Sequence, residues 1–206
     1  MDNHPPTYIV DDDQQIRGSL AVLLEVNSIP TIGFLSGDAF LEALPDLEPG
    51  CILLDVRMTG SDGLTVLAEL QARQIEWPVI VMTGHAEVST AVAAMKLGAI
   101  EYLEKPFGEN DLLRSLGRAA DLLRRVESEA AGRSDAIARV RSLSVRELQM
   151  LQSLLNGLSN KQIADDLGIS IRTVEMHRAG LMRKLRAKSL ADAVIQATSA
   201  GLRPAD

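Results

Sequence analysis

Short apolar runs alternate with amphipathic stretches along the first half of the chain. Five runs have the composition of buried β-strands bounded by turn residues: Tyr8–Asp12, Thr31–Leu35, Cys51–Asp55, Val79–Thr83 and Ile100–Leu103. The segments between them show helical spacing of their apolar positions, and these segments are Gln15–Val26, Ala39–Leu44, Leu64–Gln71 and Val88–Leu97. A further helix is expected after Pro106. This alternation predicts an α/β fold with a five-stranded, doubly wound parallel sheet.

A long helix is predicted to follow the sheet. Apolar side chains recur in it at alternating spacings of four and three, the a/d pattern of a coiled coil, at Leu112, Leu116, Ala119, Leu123, Val126 and Ala130. The first part of this seam is expected to pack on the sheet, and the part beyond Arg124 to form a dimeric linker helix. Gly132 is expected to interrupt the helix, with a hinge in residues 128–142.

The last third of the chain carries the start and stop signals of short helices. Serines suit the N-cap positions, three of them with an acidic or amide side chain three residues later as in a capping box: Ser144, Ser159, Ser170 and Ser189. Glycines suit the ends of the first two helices: Gly157 and Gly168. The turn at residues 167–170 has the form of a helix-turn-helix. Residues 143–206 are therefore predicted to form a small all-α, four-helix domain, after a domain at residues 1–123 and a helical linker at residues 124–142.

Polar side chains stand where predicted strands end. Asp11 and Asp12 end the first strand and Asp55 ends the third. The carboxyl ends of parallel strands meet at one edge of an α/β sheet, so these carboxylates are expected to cluster. Clustered carboxylates require a cation, and Mg²⁺ suits hard oxygen ligands and keeps waters that phosphoryl oxygens can replace. Thr83 and Lys105 follow the fourth and fifth strands, although either alone would be an ordinary turn or solvated residue.

Together these residues suit phosphoryl chemistry. Asp55 is the candidate nucleophile, Lys105 can neutralise an added phosphoryl group, and Thr83 can donate a hydroxyl hydrogen bond to it. A cis peptide bond before Pro106 would help to aim the lysine.

The same residues resemble the receiver domain of bacterial response regulators over roughly residues 6–123. The resemblance is carried by Asp11-Asp12, Asp55, Thr83-Gly84, Tyr102 and Lys105-Pro106-Phe107. It implies a flavodoxin-like domain in which Asp55 is phosphorylated by a sensor histidine kinase. It also implies that Mg²⁺ is held by Asp11 or Asp12, by Asp55 and by the backbone carbonyl of Arg57, and that Thr83 and Tyr102 reorient on phosphorylation.

One position departs from the family pattern. The family usually has Met-Pro-Gly after the phosphoacceptor, whereas this chain has Met58-Thr59-Gly60. Thr59 removes a φ restraint without removing a metal ligand. Altered loop mobility, and with it an altered lifetime of the phosphoryl group, is the expected consequence.

The segment Ile171–Leu185 has the pattern of a helix that enters a DNA major groove. One face is apolar and belongs to the domain core, with Val174, Leu181 and Leu185. The opposite face is available to base edges and carries Arg172, Glu175, Met176, Ala179 and Arg183. Basic side chains flank it and suit phosphate contacts, namely Arg178, Lys184, Arg186 and Lys188. His177 is expected to pack or to contact phosphate. An amphipathic surface helix with ordinary basic residues would show part of this pattern.

Three motifs here resemble the LuxR-type four-helix DNA-binding domain. They are Leu143-Ser-Val-Arg-Glu147, Gly157-Leu-Ser-Asn-Lys161 and Ser170-Ile-Arg-Thr-Val-Glu-Met-His177. The resemblance adds Asn160, Lys161 and Thr173 to the candidate DNA contacts. Joined to a receiver, this domain is similar to the NarL/FixJ family of two-component transcription factors and most similar to its FixJ branch. That family implies double-stranded DNA as partner, RNA polymerase as a candidate partner, and a homodimer of the phosphorylated form around residues 88–102.

Charge and composition support two domains with different partners. Residues 1–123 hold 19 acidic and 7 basic side chains, a net charge of −12, whereas residues 124–206 hold 9 acidic and 14 basic, a net charge of +5. Two solvated surfaces of unrelated sign would also give this asymmetry. No apolar run is long enough for a membrane span and no signal peptide is present, so a cytoplasmic protein without a membrane partner is expected. The single Cys51 is expected to fill the core, and three dispersed histidines offer no zinc cluster.

Two alternative functions use the same residues. Phosphohydrolases of the haloacid dehalogenase type also combine an aspartyl nucleophile with Mg²⁺, but they use a second Asp two residues later as general acid. Arg57 occupies that position here and cannot release a proton, and the chain has no cap-domain insertion, so no enzymatic function is expected. A constitutive DNA binder whose receiver no longer takes phosphate is favoured by Thr59 alone.

Overall fold

The computed structural model describes residues 4–85 and 87–204 of the chain. The chain divides into two compact units, Met1–Val126 and Glu127–Asp206. The first unit contains a β-sheet and flanking helices, whereas the described residues of the second are helical or in turns. Across the described ranges, no helix is both long enough and apolar enough to cross a bilayer.

A five-stranded parallel sheet forms the centre of the first unit. Its strands are β1 (Thr7–Val10), β2 (Thr31–Phe34), β3 (Cys51–Asp55), β4 (Val79–Thr83) and β5 (Glu101–Glu104). Their order in the sheet is β2-β1-β3-β4-β5, and every neighbouring pair is parallel. The predicted doubly wound sheet is therefore confirmed, with strand ends displaced by at most two residues. Asp11 and Asp12 lie just beyond β1 rather than within it.

Helices connect the strands. They are α1 (Gln14–Val26), α2 (Gly37–Ala43, followed by a 3₁₀ turn at Leu44–Asp46), α3 (Gly63–Ala72), α4 (Val88–Lys96) and α5 (Glu109–Arg141). Side-chain caps fix the first three starts, because the backbone N–H groups of each first turn donate to Asp13, Ser36 and Asp62. The cap at Ser36 explains why α2 begins two residues before its predicted start.

Apolar side chains cover both faces of the sheet. Alternate residues of each strand point to opposite faces, so Ile52 and Leu54 join one buried cluster while Leu53 joins the other. Strands β3 and β4 are buried along their whole length, as expected for central strands of a parallel sheet. Cys51 is 1% exposed, and burial raises the pKa of its thiol to about 12. It is therefore an unreactive core residue, as predicted.

Helix α5 runs without a break from Glu109 to Arg141, and the boundary between the two units falls inside it. The expected interruption at Gly132 is wrong. A glycine inside a helix costs only about 1 kcal/mol relative to alanine, and the neighbouring alanines and arginines favour the helix. The first part of the apolar seam, Leu112 to Ala119, is buried against the sheet as predicted, whereas Ala130 is exposed.

Four helices follow in the second unit. They are α6 (Val145–Leu155), α7 (Asn160–Leu167), α8 (Ile171–Leu185) and α9 (Leu190–Ser199). Each begins at the predicted serine, with full capping boxes at Ser144 and Ser159. Gly168 ends α7 in the left-handed conformation, with φ of 64°. The predicted core residues Val174, Leu181 and Leu185 are fully buried. The small helical domain with a helix-turn-helix is therefore confirmed.

Candidate functional site

Three charged side chains meet at the carboxyl edge of the sheet. Asp11 follows β1, Asp55 ends β3 and Lys105 follows β5. The Lys105 Nζ donates to the Asp11 Oδ2 at 2.7 Å and to the Asp55 Oδ1 at 2.5 Å. The two aspartates are only 1% and 6% exposed. One ammonium thus bridges two buried carboxylates, as the strand-end positions predicted, and the Lys105-Pro106 peptide bond is cis.

Burial and pairing shift the protonation of this cluster. Burial raises the pKa of the Asp55 carboxyl above its ordinary value, while the hydrogen bond from Lys105 opposes that shift. Burial alone would lower the pKa of Lys105, but hydrogen bonds and charges from Asp11 and Asp55 raise it above its ordinary value. Lys105 is therefore a firmly held cation at the point where negative charge accumulates.

The loop that follows β3 is tied to acidic side chains by hydrogen bonds. The Arg57 backbone N–H donates to the Asp55 Oδ2 at 2.8 Å. The Thr59 backbone N–H donates to the Asp12 Oδ2 at 2.9 Å. Further along, the Ser61 hydroxyl donates to the Asp38 Oδ1 at 2.5 Å. The loop expected to gain mobility at Thr59 therefore has hydrogen bonds on both sides of Gly60.

Glycine is required where this loop enters α3. A Cβ atom on Gly63 would overlap the backbone oxygen of Asp55. Only a residue without a side chain allows the first turn of α3 to pass this close to the end of β3. The position of Asp55 is thus fixed by its backbone surroundings as well as by Lys105.

The donor set suits a hard divalent cation. Three carboxylates follow or end the strands at this edge, Asp11, Asp12 and Asp55, and hard oxygen ligands of this kind suit Mg²⁺. Among the described residues, however, no three His, Cys, Asp or Glu side chains are already arranged as a metal site. The carboxylate oxygens fit Mg²⁺ in chemistry, and Asp12 accepts a hydrogen bond from the Thr59 N–H. The ligand role of the Arg57 carbonyl stays a prediction.

Thr83 and Tyr102 lie on the neighbouring strands β4 and β5. The buried Thr83 hydroxyl donates to the backbone oxygen of His85 at 3.0 Å and accepts from the His85 N–H at 3.2 Å. The Tyr102 hydroxyl is buried and has no hydrogen-bond partner within the described part of the chain. An unpaired buried hydroxyl is costly, so Tyr102 gains from any rearrangement that supplies an acceptor.

Helix α8 exposes the face that was expected to read DNA. Its members are all exposed, namely Arg172, Glu175, Met176, Ala179 and Arg183. His177 is half-buried at the edge of this face. Across residues 4–85 and 87–204, Glu175 forms no ion pair with Arg172 or Arg178.

Four predicted DNA contacts, Asn160, Lys161, Thr173 and Arg178, lie on α7 and α8. The Arg178 Nη1 donates to the Asn160 Oδ1 at 3.1 Å, which links the two helices. The Thr173 hydroxyl lies 2.8 Å from the Ser170 hydroxyl at the start of α8. Lys161 is exposed beside them on α7. Arg178 is therefore pre-oriented by Asn160, and Lys161 is free to approach a phosphate.

Lys184 has a role that its sequence position did not reveal. Its Nζ lies 2.7 Å from the carboxylate of Glu147, whose side chain is only 10% exposed. The hydrogen bond from Lys184, together with those from Ser144, lowers the pKa of Glu147 to about 2. The Glu147 carboxylate thus caps α6 and holds α8 through Lys184. The capping box at Ser144 and Glu147 was visible in the sequence, but the partner 37 residues away was not.

Both units match known protein families. A family model described as "Response regulator receiver domain" matches residues 7–117, and one described as "Bacterial regulatory proteins, luxR family" matches residues 141–197. The chain is 48% identical to the transcriptional regulatory protein FixJ of Azorhizobium caulinodans over 205 residues, which covers 98% of this chain and 95% of FixJ. The chain belongs to the FixJ-type response regulators.

Solved structures of such regulators agree with this assignment. Full-length FixJ from B. japonicum matches with 43% identity and a TM-score of 0.60, over 96% of this chain and 97% of that one. The response regulator StyR matches with 36% identity and a TM-score of 0.81, over 94% and 98%. The regulator is therefore a two-component protein with a receiver and a LuxR-type DNA-binding domain, and a kinase and DNA are implied as partners.

Proposed function

We propose that the regulator is a transcription factor switched on by phosphorylation of Asp55 by a sensor histidine kinase. The observation that carries this proposal is the Lys105 ammonium placed 2.5 Å from the Asp55 carboxylate at the sheet edge. That arrangement supplies a nucleophile and a cation for the incoming phosphoryl group. The same chain carries the basic helix-turn-helix that converts the signal into DNA binding. We assign residues 1–123 to the receiver, 124–142 to the linker and 143–206 to the DNA-binding domain.

The transfer step is a displacement at phosphorus. An Asp55 carboxylate oxygen attacks the phosphoryl group of a phosphohistidine on the kinase. An O–P bond forms while the P–N bond breaks, and the electron pair of that bond returns to the histidine nitrogen. The product is an acyl phosphate on Asp55, and Lys105 can pair with one of its oxygens. Thr83 can donate to another once its hydroxyl leaves the His85 carbonyl.

Receiver domains generally bind Mg²⁺ at the phosphorylation site. Asp11, Asp12, Asp55 and the backbone carbonyl of Arg57 would hold the ion here. When bound, it neutralises phosphoryl charge during the transfer. Asp11 and Asp55 are already oriented by Lys105, whereas Asp12 is held by the Thr59 N–H.

We infer that phosphorylation produces a homodimer. If the Thr83 hydroxyl turns toward the phosphoryl group, space opens beside β5 and the unpaired Tyr102 hydroxyl can find an acceptor. Helix α4 supports a nearby dimer face, because three of its apolar side chains are exposed: Val88 at 82%, Val92 at 47% and Met95 at 49%. Burying these side chains in a partner would stabilise the active form.

DNA binding is assigned to α8 with help from α7. The exposed face of α8 would read bases, and Lys161 and Arg178 would contact phosphates. The Lys184 ammonium is paired with Glu147 and would add a phosphate contact through its remaining N–H. One helix reads only a few base pairs, so the dimer is expected to bind two half-sites and a single half-site to bind poorly. RNA polymerase is a candidate partner at the promoter, and the cytoplasm is the compartment where these partners meet.

The phosphoacceptor assignment is tested by intact-mass measurement. Wild type and Asp55→Asn are incubated with acetyl phosphate, each with Mg²⁺ and with a chelator instead. Wild type should gain one phosphoryl group only when Mg²⁺ is present. Asp55→Asn should gain none, because an amide replaces the nucleophilic carboxylate. Equal labelling of both proteins would remove Asp55 from its central role.

A further inference from the structure

Thr59 makes a hydrogen bond that the usual residue of this family cannot make. Its backbone N–H donates to the Asp12 Oδ2 at 2.9 Å. Proline has no backbone N–H, so a chain with the Met-Pro-Gly loop would leave this Asp12 oxygen without that donor. The departure at residue 59 therefore adds an interaction, in addition to removing a restraint on φ.

The bond acts on the carboxylate that a metal would still have to recruit. Asp11 and Asp55 are buried and share Lys105, whereas Asp12 is exposed and held by Thr59. In the described ranges these three carboxylates are not yet gathered as a metal site. The Thr59 N–H therefore occupies one oxygen of the one carboxylate in this set that Lys105 does not hold.

The loop does not depend on this bond for its attachment. On the far side of Gly60, the Ser61 hydroxyl and backbone N–H donate to Asp38 at 2.5 Å and 3.4 Å. Gly60 has φ of 86°, and a Cβ atom at this position would overlap the same carboxylate. Removing the Thr59 N–H should thus free Asp12 and leave the loop anchored at Asp38.

We propose that the Thr59 N–H competes with the metal for the Asp12 carboxylate and lowers the affinity of the receiver for Mg²⁺. The proposal rests on the Mg²⁺ site assigned above. Asp12 has to give up this hydrogen bond in order to become a metal ligand. Because Asp12 is exposed and water weakens the bond, we expect a modest effect, an increase in the Kd for Mg²⁺ of about 3- to 10-fold.

Three single variants of the full chain separate the hydrogen bond from other effects. Thr59→Pro removes the N–H, Thr59→Ala keeps it without the side chain, and Ser61→Ala loosens the loop at Asp38 without touching Asp12. Calorimetric titration with MgCl₂ should give a Kd for Thr59→Pro about 3- to 10-fold below that of wild type. Thr59→Ala and Ser61→Ala should bind Mg²⁺ as wild type does.

A second measurement needs no variant. In wild type, saturation with Mg²⁺ should accelerate hydrogen exchange of the Thr59 amide, because the amide loses its acceptor. This result stays available if Thr59→Pro fails to fold, which far-UV circular dichroism would reveal.

A further variant tests the existence of the metal site separately from the effect of the Thr59 N–H. Asp12→Asn should bind Mg²⁺ more weakly than wild type, whatever Thr59 does. If Asp12→Asn is weakened but Thr59→Pro binds like wild type, and the Thr59 amide does not change with Mg²⁺, the inference is wrong and the metal site stands. An equal gain in Thr59→Pro and Ser61→Ala would assign the effect to loop mobility and also overturn it. Absence of Mg²⁺ binding to wild type would overturn both.

Discussion

Glu175 is the one acidic side chain on the exposed face of α8. Its neighbours Arg172 and Arg183 are positive and suit contact with DNA. A carboxylate near phosphates costs affinity unless it accepts a hydrogen bond from a base, such as the amino group of cytosine. Within the described residues Glu175 has no ion pair that would explain it as a partner for an arginine. A base-reading role accounts for both its charge and its exposure.

Glu175→Ala should relax sequence specificity while preserving or raising affinity for random DNA, since a repulsive charge and a base contact are lost together. Selection of binding sites from a random library by both proteins measures this. Lys161→Ala is the matched control, because losing a phosphate contact should weaken binding to all sequences and reduce the salt slope by about one. Indistinguishable motifs selected by wild type and Glu175→Ala would rule out Glu175 as a base reader.

Part of the receiver site was predictable from single residues of the sequence. Asp11, Asp55 and Lys105 could be placed together because each follows a strand whose position in a parallel sheet is constrained. The sequence also showed that Thr59, unlike proline, carries a backbone N–H that can donate a hydrogen bond. Its acceptor lies 47 residues earlier, however, and only the packed loop identifies it.

Helices of the second unit are joined by an ion pair between a nearly buried carboxylate and an exposed lysine. Glu147 at the start of α6 binds Lys184 near the end of α8. Several hydrogen bonds lower the pKa of Glu147 to about 2 from its ordinary value of 4.5. A carboxyl with a lowered pKa in the folded state stabilises the fold fully above its ordinary pKa, and this contribution is lost as pH falls from about 4.5 toward 2.

Glu147→Gln should lower the free energy of unfolding of the second unit by about 1–3 kcal/mol at neutral pH. The stability of the variant should also fall less than that of wild type as pH drops below 4.5, because the titrating carboxyl is gone. All Phe, Trp and Tyr residues of the chain precede residue 108, so their fluorescence does not report on the second unit. Unfolding of that unit by urea is therefore measured through methyl NMR signals of α6 and α8. Asp165→Asn, a change at an exposed carboxylate of the same unit, is the matched control and should leave the profile near that of wild type. Identical pH profiles for Glu147→Gln and wild type would contradict a stabilising role for this carboxylate.

The first residues of the helices were the most predictable feature of the secondary structure, because capping signals lie within one turn of the sequence. A serine followed three residues later by Glu or Gln satisfies two backbone donors within one turn, and α6 and α7 begin at such serines. Whether a helix continues past a glycine was less predictable. Gly132 suggested an end for α5, but a single glycine costs too little to stop a helix of good helix formers.

The whole molecule joins an acidic half to a basic half, and this division was visible from charge alone. A net charge of −12 over residues 1–123 disfavours contact with DNA, whereas +5 over residues 124–206 favours it. Charge therefore indicated two domains with different partners, and the motifs supplied their functions. The coupling between them could not be predicted in the same way, because it depends on how phosphorylation changes Thr83, Tyr102 and the exposed face of α4.

Phosphorylation of Asp55 is proposed to control DNA binding. This control can be measured by fluorescence anisotropy of the full chain with a two-half-site duplex selected from a random library. Wild type and Asp55→Asn are each titrated with and without acetyl phosphate and Mg²⁺. Wild type should bind about 5- to 150-fold more tightly when both reagents are present, whereas Asp55→Asn should not respond. Equal affinity of wild type under all conditions, or an equal response of Asp55→Asn, would contradict the claim.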